Sequence, residues 1–532
     1  MPRLRIRRLL LTIIIVISST FLILNLTSSS QQALLFPPKS EHDFFSNVFE
    51  TGVRRRPKFE NPPPPWVHQT SDLITTRTQK TTDYKKLFYR HVDAPNHHQI
   101  ERRDNIMAGP LQSVAGQNQT IVKLWFMKGG GVRPQPISMN AKPLLWPEQD
   151  SGDRIVEQLM YVPPNYTSSW NFSAALPLTA SSSSIQKPKL KKILLYFGKG
   201  GWNDLPLGRN VFLRDKCPVN TCELTTSLKD AEQADALFFK DRFLWPFYKR
   251  KPHQVWILFL LECPLHTQAF KNLKNVFNWT ATYRHDSDLV APYEKFVPYN
   301  SSIKFVSGQK KYAVEENRNY AANKSKTVAW FVSNCNAKNK RLEYAKELGQ
   351  HIDVDIYGSC GNKKCPRTLT HKCFRMLDKE YKFYLAFENS NCKDYITEKF
   401  FVNGLSRNIV PIVMGGRPED YARAAPPHSY IHVDDFTSPR ELANYLSILD
   451  KNDTLYNEYF KWKGTGEFVN TYFWCRMCAM LHAPLYHKSY PDMHRWWFGP
   501  GTCNAGNWRG TPPTSIPHQG PTSVAGIKDD KG

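Results

Sequence analysis

At 532 residues, with 41% apolar and 13% aromatic side chains, the chain exceeds one typical domain and has ample material for packed cores. Its net charge of +24 suits anionic partners, yet the basic residues are spread along the whole length and no RNA- or DNA-binding motif accompanies them, which argues against a nucleic-acid or polyanion binder and for a luminal surface drawn to a nucleotide-sugar and acidic membranes. Eleven cysteines is an odd number, so at least one is left over if the others pair.

In chain order, residues 1–8 carry Arg3, Arg5, Arg7 and Arg8 as a cytosolic tail. Residues 9–26 run without a charge for about the length of a bilayer core and read as a transmembrane signal anchor. Residues 27–150, with their proline run 62–65, read as a stem that spaces a luminal head from the membrane. An oxidising lumen permits disulfides and glycosylation. Sequons begin at Asn118, Asn165, Asn171, Asn278, Asn300, Asn323 and Asn452, and each is expected at a surface position.

A regular strand alternation begins near residue 193. Residues 193–197 are followed by Gly198-Lys199-Gly200-Gly201, which lacks the spacing of a Walker A loop, and 236–239 and 255–261 are further strands. The last ends in Glu262-Cys263-Pro264, which puts a carboxylate at a strand's carboxyl end. The preceding apolar run is expected to raise its pKa toward the range of a general base. Asp286-Ser287-Asp288 has the form of a metal-holding D-x-D. Residues 327–333 (TVAWFVS) open a second alternation, followed by a helix over 338–350 that carries Arg341, a planar fork suited to phosphate. Residues 354–357 are again strand-like.

Residues 383–416, FYLAFENSNCKDYITEKFFVNGLSRNIVPIVMGG, read as strand, polar turn, helix and strand. Asp394 is expected to cap the helix, which carries Tyr395, Ile396, Phe400, Phe401 and Leu405 at helical spacing. Such a unit makes parallel strands whose carboxyl ends open a ligand crevice. Glu398 and Lys399 lie beside it, one suited to ribose hydroxyls and the other to phosphate. Beyond it come a short strand at 430–433 and a capping box at Ser438-Pro439-Arg440-Glu441. Residues 483–532 read as an extension with a disordered end. Cys475-x-x-Cys478 and the group Cys360, Cys365, His371 and Cys373 invite redox or zinc readings, against which a lumen favours structural disulfides of undetermined connectivity.

The order FYLAFENS…DYITEK…N…VPIVMG resembles the donor-binding signature of the α1,3/4-fucosyltransferases. NWTATYRHDSD at 278–288, VSN…R at 332–341 and LECPLHTQ at 261–268 are similar to further motifs of that family. YFKWKGTGEF, WCRMCAMLH and WWFGPGTC favour its arthropod-type branch, which modifies the N-glycan core, over the Lewis-type branch acting on outer LacNAc or LacdiNAc. The resemblance implies an α/β, GT-B-like fold of two Rossmann-like domains facing a cleft. An acceptor-side domain would occupy 151–325 and a GDP-fucose domain 326–482. It implies an inverting transfer of L-fucose from GDP-β-L-fucose to the 3-hydroxyl of the Asn-linked GlcNAc by a Golgi membrane enzyme of single-pass type II topology. Its partners are GDP-fucose, N-glycans and the Golgi membrane, with no nucleic acid.

The same resemblance implies Glu262 as catalytic base and donor contacts at Tyr283, Ser333, Asn334, Arg341, Tyr384, Asn389, Tyr395, Glu398 and Lys399. No metal ligand or cofactor is required, with divalent stimulation left open. His285 stands where many relatives have Arg, so its contact is open, and Gly404 stands where they usually have Ala, with an expected cost of roughly 1 kcal/mol. A catalytically silent Golgi glycan-binding protein is the alternative of another class.

Overall fold

The computed structural model describes residues 123–149, 152–166, 189–299, 318–484 and 488–509. The expected cytosolic tail and anchor, most of the stem, and the sequons at Asn118, Asn171 and Asn300 lie outside these residues. No helix among the described residues is long and apolar enough to cross a membrane.

Residues 123–149, expected as stem, instead pack. Trp125, Phe126, Met127, Leu145 and Trp146 are buried, the Trp125 indole donates to Leu159 O at 3.0 Å, and Lys123 pairs with Glu467 at 2.8 Å. Large apolar side chains of this kind reach burial only against a folded partner, which a Pro- and polar-rich average conceals. Helix α1 (Arg154–Leu159) follows, N-capped by Asp153.

The first sheet comprises β1 (Lys191–Leu195), β2 (Cys222–Thr225), β3 (Ala236–Lys240), β4 (Val255–Leu260) and β5 (Trp279–Thr282), with the short helix α2 (Asn210–Arg214) between β1 and β2. All its pairs are parallel, in the order β2-β1-β3-β4-β5. Strands covered on both faces read as continuous apolar runs, as ALFF of β3 and WILFL of β4 do. Strand β6 (Lys295–Pro298) leaves this sheet.

The second sheet takes β7 (Lys326–Phe331), β8 (Val354–Tyr357) and β9 (Tyr381–Phe387), with helices α3 (Arg341–Leu348) and α4 (Thr370–Glu380) between them. After the two-residue strand β10 (Asn391–Cys392) and helix α5 (Glu398–Phe400) come β11 (Val410–Met414), α6 (Pro418–Ala424) and β12 (Ile431–His432). Its order, β12-β11-β9-β7-β8, repeats the first sheet's arrangement, again all parallel. Both sheets thus have their topological switch point between the first and third strands, where an α/β sheet opens its ligand crevice. Helix α7 (Pro439–Asp450) begins as expected, with Ser438 accepting from Glu441 N. The Glu441 carboxylate, however, turns back to Thr437 rather than to Ser438. Helix α8 (Asp453–Glu458) is capped by Asn452.

The chain then returns to the first sheet's side, against the expected boundary at 482. Strand β13 (Gly466–Val469) pairs antiparallel with β6, and helix α9 (Phe473–Leu481) is tied by the disulfides Cys217–Cys475 and Cys222–Cys478. Arg476 of α9 is wholly buried and donates to Thr471 O, Val290 O and the Gln158 amide oxygen, which hold the guanidinium while burial lowers its pKa to about 9. Residues 488–509 are no loose tail. Lys488 pairs with the buried Asp288, α10 (Met493–Phe498) lies beside Tyr283 and Thr267, and β14 (Cys503–Asn504) pairs with β10.

Three further disulfides, Cys335–Cys360, Cys365–Cys373 and Cys392–Cys503, use up the cysteines read as redox or zinc candidates. The two cysteines of the C-x-x-C pair with partners more than 250 residues away, not with each other. Cys263 alone keeps its thiol.

The expected helix starting at Asp394 is shorter and capped elsewhere. Asp394 has a left-handed φ of 58°, Thr397 caps α5 by accepting from Lys399 N, and residues Phe401–Leu405 form a π turn. Gly404 lies in that turn, where an added Cβ would stand 2.8 Å from Pro411 Cβ. Alanine's helix preference of roughly 1 kcal/mol therefore meets an overpacking cost of about 1–3 kcal/mol. Gly404→Ala is expected to lower the melting temperature, not raise it, as differential scanning calorimetry will show.

Candidate active site

Glu262 follows β4 by two residues, so the sheet delivers its carboxylate to the carboxyl-end crevice. The apolar run that precedes it faces the core, and the carboxyl itself is about two-fifths exposed, so the apolar enclosure expected around it is absent. One of its oxygens accepts from Cys263 N at 3.0 Å and from the Tyr395 hydroxyl at 2.6 Å. Tyr395 belongs to the segment after β10, so this short, charge-assisted bond joins the two sheets' territories. A second link lies alongside it, with Cys263 Sγ 3.2 Å from Ser390 Oγ and 3.9 Å from Asn389 Oδ1. Burial pushes the Cys263 thiol up to about 12, and the Tyr395 hydroxyl well above its ordinary range, so both stay protonated near neutral pH.

Four residues beyond Tyr395, Lys399 is held by three groups. Its Nζ is 3.0 Å from Glu388 Oε2, 3.1 Å from Glu398 Oε1 and 2.8 Å from Thr397 Oγ1. Glu388 is wholly buried, accepts from both Thr397 N and Thr397 Oγ1, and lies against Gly415, where a Cβ would come within 2.5 Å of its Cγ. Burial pushes the Glu388 carboxyl up while Lys399 opposes it. Burial also works against ionised Glu398, but there Lys399 prevails and the carboxyl falls below its usual range. Glu388 was legible by the same strand-end logic that singled out Glu262, since it directly follows β9. Its polar company, Asn389-Ser390, made it read as a mere break.

Arg341 opens α3 and is nearly buried. Its guanidinium donates to Phe387 O at 2.7 Å and Asn334 O at 3.1 Å and lies over Trp330. It thus pins two strand-end loops together, and only its Nε has no protein partner. Glu398 Oε2 and the Tyr283 hydroxyl share that condition, so each can bond a polar ligand. Tyr283 is buried between Tyr395 and Trp497, with ring centroids 5.2 and 5.7 Å away. Ser333 and Asn334 are exposed at the end of β7 and Asn389 is half-buried. Tyr384 departs from expectation, being wholly buried, edge-on to Phe331 and bonded by the Asn403 amide at 3.1 Å, so it supports the second sheet instead of facing a ligand.

The D-x-D carboxylates are committed to protein cations. Asp286 takes a bidentate Arg284 and Lys393, while Asp288 takes Lys488, Thr280 and Tyr490. Of the described sequons, Asn165, Asn323 and Asn452 are exposed. Asn278 corrects the surface expectation, since it is half-buried, and its amide donates to Lys488 O at 2.9 Å and accepts from Trp256 N.

His285, the position left open, bonds Asp394 through both its backbone N–H at 3.1 Å and its Nδ1 at 2.6 Å, with Arg423 on the same carboxylate. Beside this clasp lies a cavity of about 340 Å³ lined by Arg154, Tyr283, Glu294, Ile396 and Arg423. It touches the site only through Tyr283. Burial raises the Glu294 carboxyl from 4.5 to about 7. The folded state therefore keeps a proton that the unfolded chain releases, and stability falls as pH rises from about 4.5 to 7, by up to roughly 3 kcal/mol. In calorimetric melts of Glu294→Gln, the advantage of the variant over the parent is expected to grow across that window and level off above it.

The chain matches the N-terminal fucosyltransferase family over residues 188–294 and the C-terminal part of glycosyltransferase family 10 (fucosyltransferase) over residues 321–496. It is 53% identical to a glycoprotein 3-alpha-L-fucosyltransferase A of Drosophila melanogaster, over 73% of this chain and 75% of that one. It is 38% identical to an alpha-(1,3)-fucosyltransferase C of the same organism, over 54% of this chain and 72% of that one. A solved α1,3-fucosyltransferase with GDP-fucose aligns at a TM-score of 0.37 and 17% identity, over 58% of this chain and 96% of that one, a likeness too low to carry weight. The family matches, the relative at 53% identity and the two parallel sheets agree: the chain belongs to glycosyltransferase family 10, the fucosyltransferases.

Proposed function

We propose that this chain transfers L-fucose from GDP-β-L-fucose to the 3-hydroxyl of the Asn-linked GlcNAc of N-glycans, inverting the anomeric centre. The observation that carries the reading is the 2.6 Å bond from the Tyr395 hydroxyl to Glu262, which ties a partly exposed carboxylate after the first sheet to the segment that, four residues on, carries Lys399 and its carboxylates. Tyr395 occupies one oxygen and fixes the carboxylate's orientation. The other oxygen takes the acceptor hydroxyl's proton as the new C–O bond forms. The bond to GDP breaks in the same displacement through an oxocarbenium-like ring.

Negative charge grows on the departing diphosphate. Lys399, kept cationic by two carboxylates, and the Nε of Arg341 are the groups that oppose it. Glu398 offers its unpartnered oxygen to the ribose hydroxyls. Tyr283, Tyr395 and Trp497 supply apolar walls that limit hydrolysis.

The core acceptor is favoured by the 53% identity to a glycoprotein 3-alpha-L-fucosyltransferase, against 36% to a bovine 3-galactosyl-N-acetylglucosaminide 4-alpha-L-fucosyltransferase. Incubation with GDP-fucose and either a core-only N-glycopeptide or a LacNAc oligosaccharide separates the two. Fucose on the innermost GlcNAc, read by mass spectrometry, is expected, and transfer confined to LacNAc would overturn the acceptor assignment. A Golgi membrane anchor with a luminal head is proposed with this reading, and protease protection of the head in sealed microsomes tests it.

A further inference from the structure

Cys263 is the one cysteine among those described that no disulfide consumes, and its thiol is not isolated. The turn Pro264–His266 folds directly after it, so His266 comes back over Cys263 at i+3. His266 Nδ1 stands 3.1 Å from Cys263 Sγ and 3.8 Å from Glu262 Oε1. The three ligand atoms all lie within 4.8 Å of one another. A tetrahedral zinc ion with bonds of about 2.0–2.3 Å needs ligand atoms roughly 3.3–3.6 Å apart, which the two His266 separations already approach to within a few tenths of an ångström, while rotation of the Glu262 side chain closes the remaining pair.

Thiolate, imidazole and carboxylate together are the donor set of a soft or borderline divalent cation, not of magnesium or calcium. Glu262 and His266 are each about two-fifths exposed, whereas Cys263 forms the buried floor.

We propose that Glu262, Cys263 and His266 form an inhibitory site for Zn2+ that captures the catalytic carboxylate. On binding, the thiol proton leaves to solvent and a Zn–S bond replaces the S–H bond. His266 contributes the lone pair of Nδ1, Glu262 contributes a carboxylate oxygen, and water completes the shell. A carboxylate that ligates Zn2+ is a much weaker base toward the acceptor hydroxyl, whichever oxygen binds, and transfer stops. The effect on rate rests on Glu262 being the base, but occupancy of the site does not.

The test uses the purified full chain, first treated with a chelator and assayed without metal. Absence of any fucose transfer at that stage counts against the proposed function and leaves the metal site to the optical measurement. Co2+ titration of the chelated protein is expected to give a thiolate-to-cobalt charge-transfer band that Zn2+ abolishes. The band is expected to be absent in Cys263→Ser, and its midpoint at least tenfold weaker in His266→Ala, an exposed position. Zn2+ is expected to inhibit the parent at least tenfold more potently than Cys263→Ser, each normalised to its own metal-free rate. No thiolate band, a band that survives Cys263→Ser, or equal zinc sensitivity of parent and variant would overturn the proposal.

Discussion

Glu262→Ala is expected to lower the rate of fucose transfer about a thousandfold, within the range that a positioned general base supplies. GDP affinity should stay within about twofold of the parent, because the direct protein partners of this carboxylate are the Cys263 amide and the Tyr395 hydroxyl, not the Lys399 group. Tyr395→Phe removes the bond that orients the base, and keeps the ring that packs on Tyr283. A charge-assisted hydrogen bond of about 1.5–3 kcal/mol makes its loss intermediate, roughly tenfold or more in kcat with GDP binding retained. Stopped-assay kinetics and calorimetric GDP titration on both variants check the pair. Near-normal turnover in Glu262→Ala would reject the base assignment outright.

Lys399→Met has the other large expected effect, and it acts on stability and donor binding together. Glu388 is wholly buried and Lys399 is its cation, with Thr397 supplying the remaining hydrogen bonds. Removing one member of a buried pair leaves the other uncompensated, at a cost of about 3–5 kcal/mol. The chain's answer is to protonate Glu388, which burial already favours, so the loss is expected to be smaller in acid than at neutral pH. The sign follows from linkage, since a carboxyl whose folded pKa rises further keeps its proton in the folded state and loses stability as pH increases.

Replacing both residues, Glu388→Gln with Lys399→Met, is expected to recover most of the stability, because the buried charge is gone as well. GDP affinity should remain low in the double variant, which separates the cation's role toward the donor from its role in the fold. Chemical denaturation and GDP titration on the four-member cycle measure both. Additive stability effects would show that Glu388 and Lys399 are not the coupled pair described here.

Much of the fold was legible from apolar runs alone. Strands covered on both faces leave an uninterrupted hydrophobic signal, which is why WILFL of β4 and KTVAWF of β7 could be placed to within a residue or two. Glu262 was legible for a related reason, because a carboxylate immediately after such a run has to emerge at the sheet's edge. The DYITEK helix was misread because its apolar residues do recur at helical spacing. Their periodicity comes instead from a cap at Thr397, three α-helical residues and a π turn, and a pattern of side chains does not reveal which backbone hydrogen bonds produce it.

The sequence by itself determined the two strand–helix alternations, the strand-end position of Glu262 and the family these motifs belong to, since each depends on neighbours within a few dozen residues. Only the tertiary structure decided which cysteines pair, that residues 466–484 and 488–509 fold back across the earlier sheets, that Tyr384 is core, and that Arg341 spends most of its guanidinium on backbone carbonyls. The reason is range. A strand or a cap is settled by local periodicity and backbone valence. The disulfides Cys217–Cys475, Cys222–Cys478 and Cys392–Cys503, the buried Lys488–Asp288 pair and the reach of Tyr395 to Glu262 depend on where residues more than a hundred positions apart are brought by the packing of the whole chain.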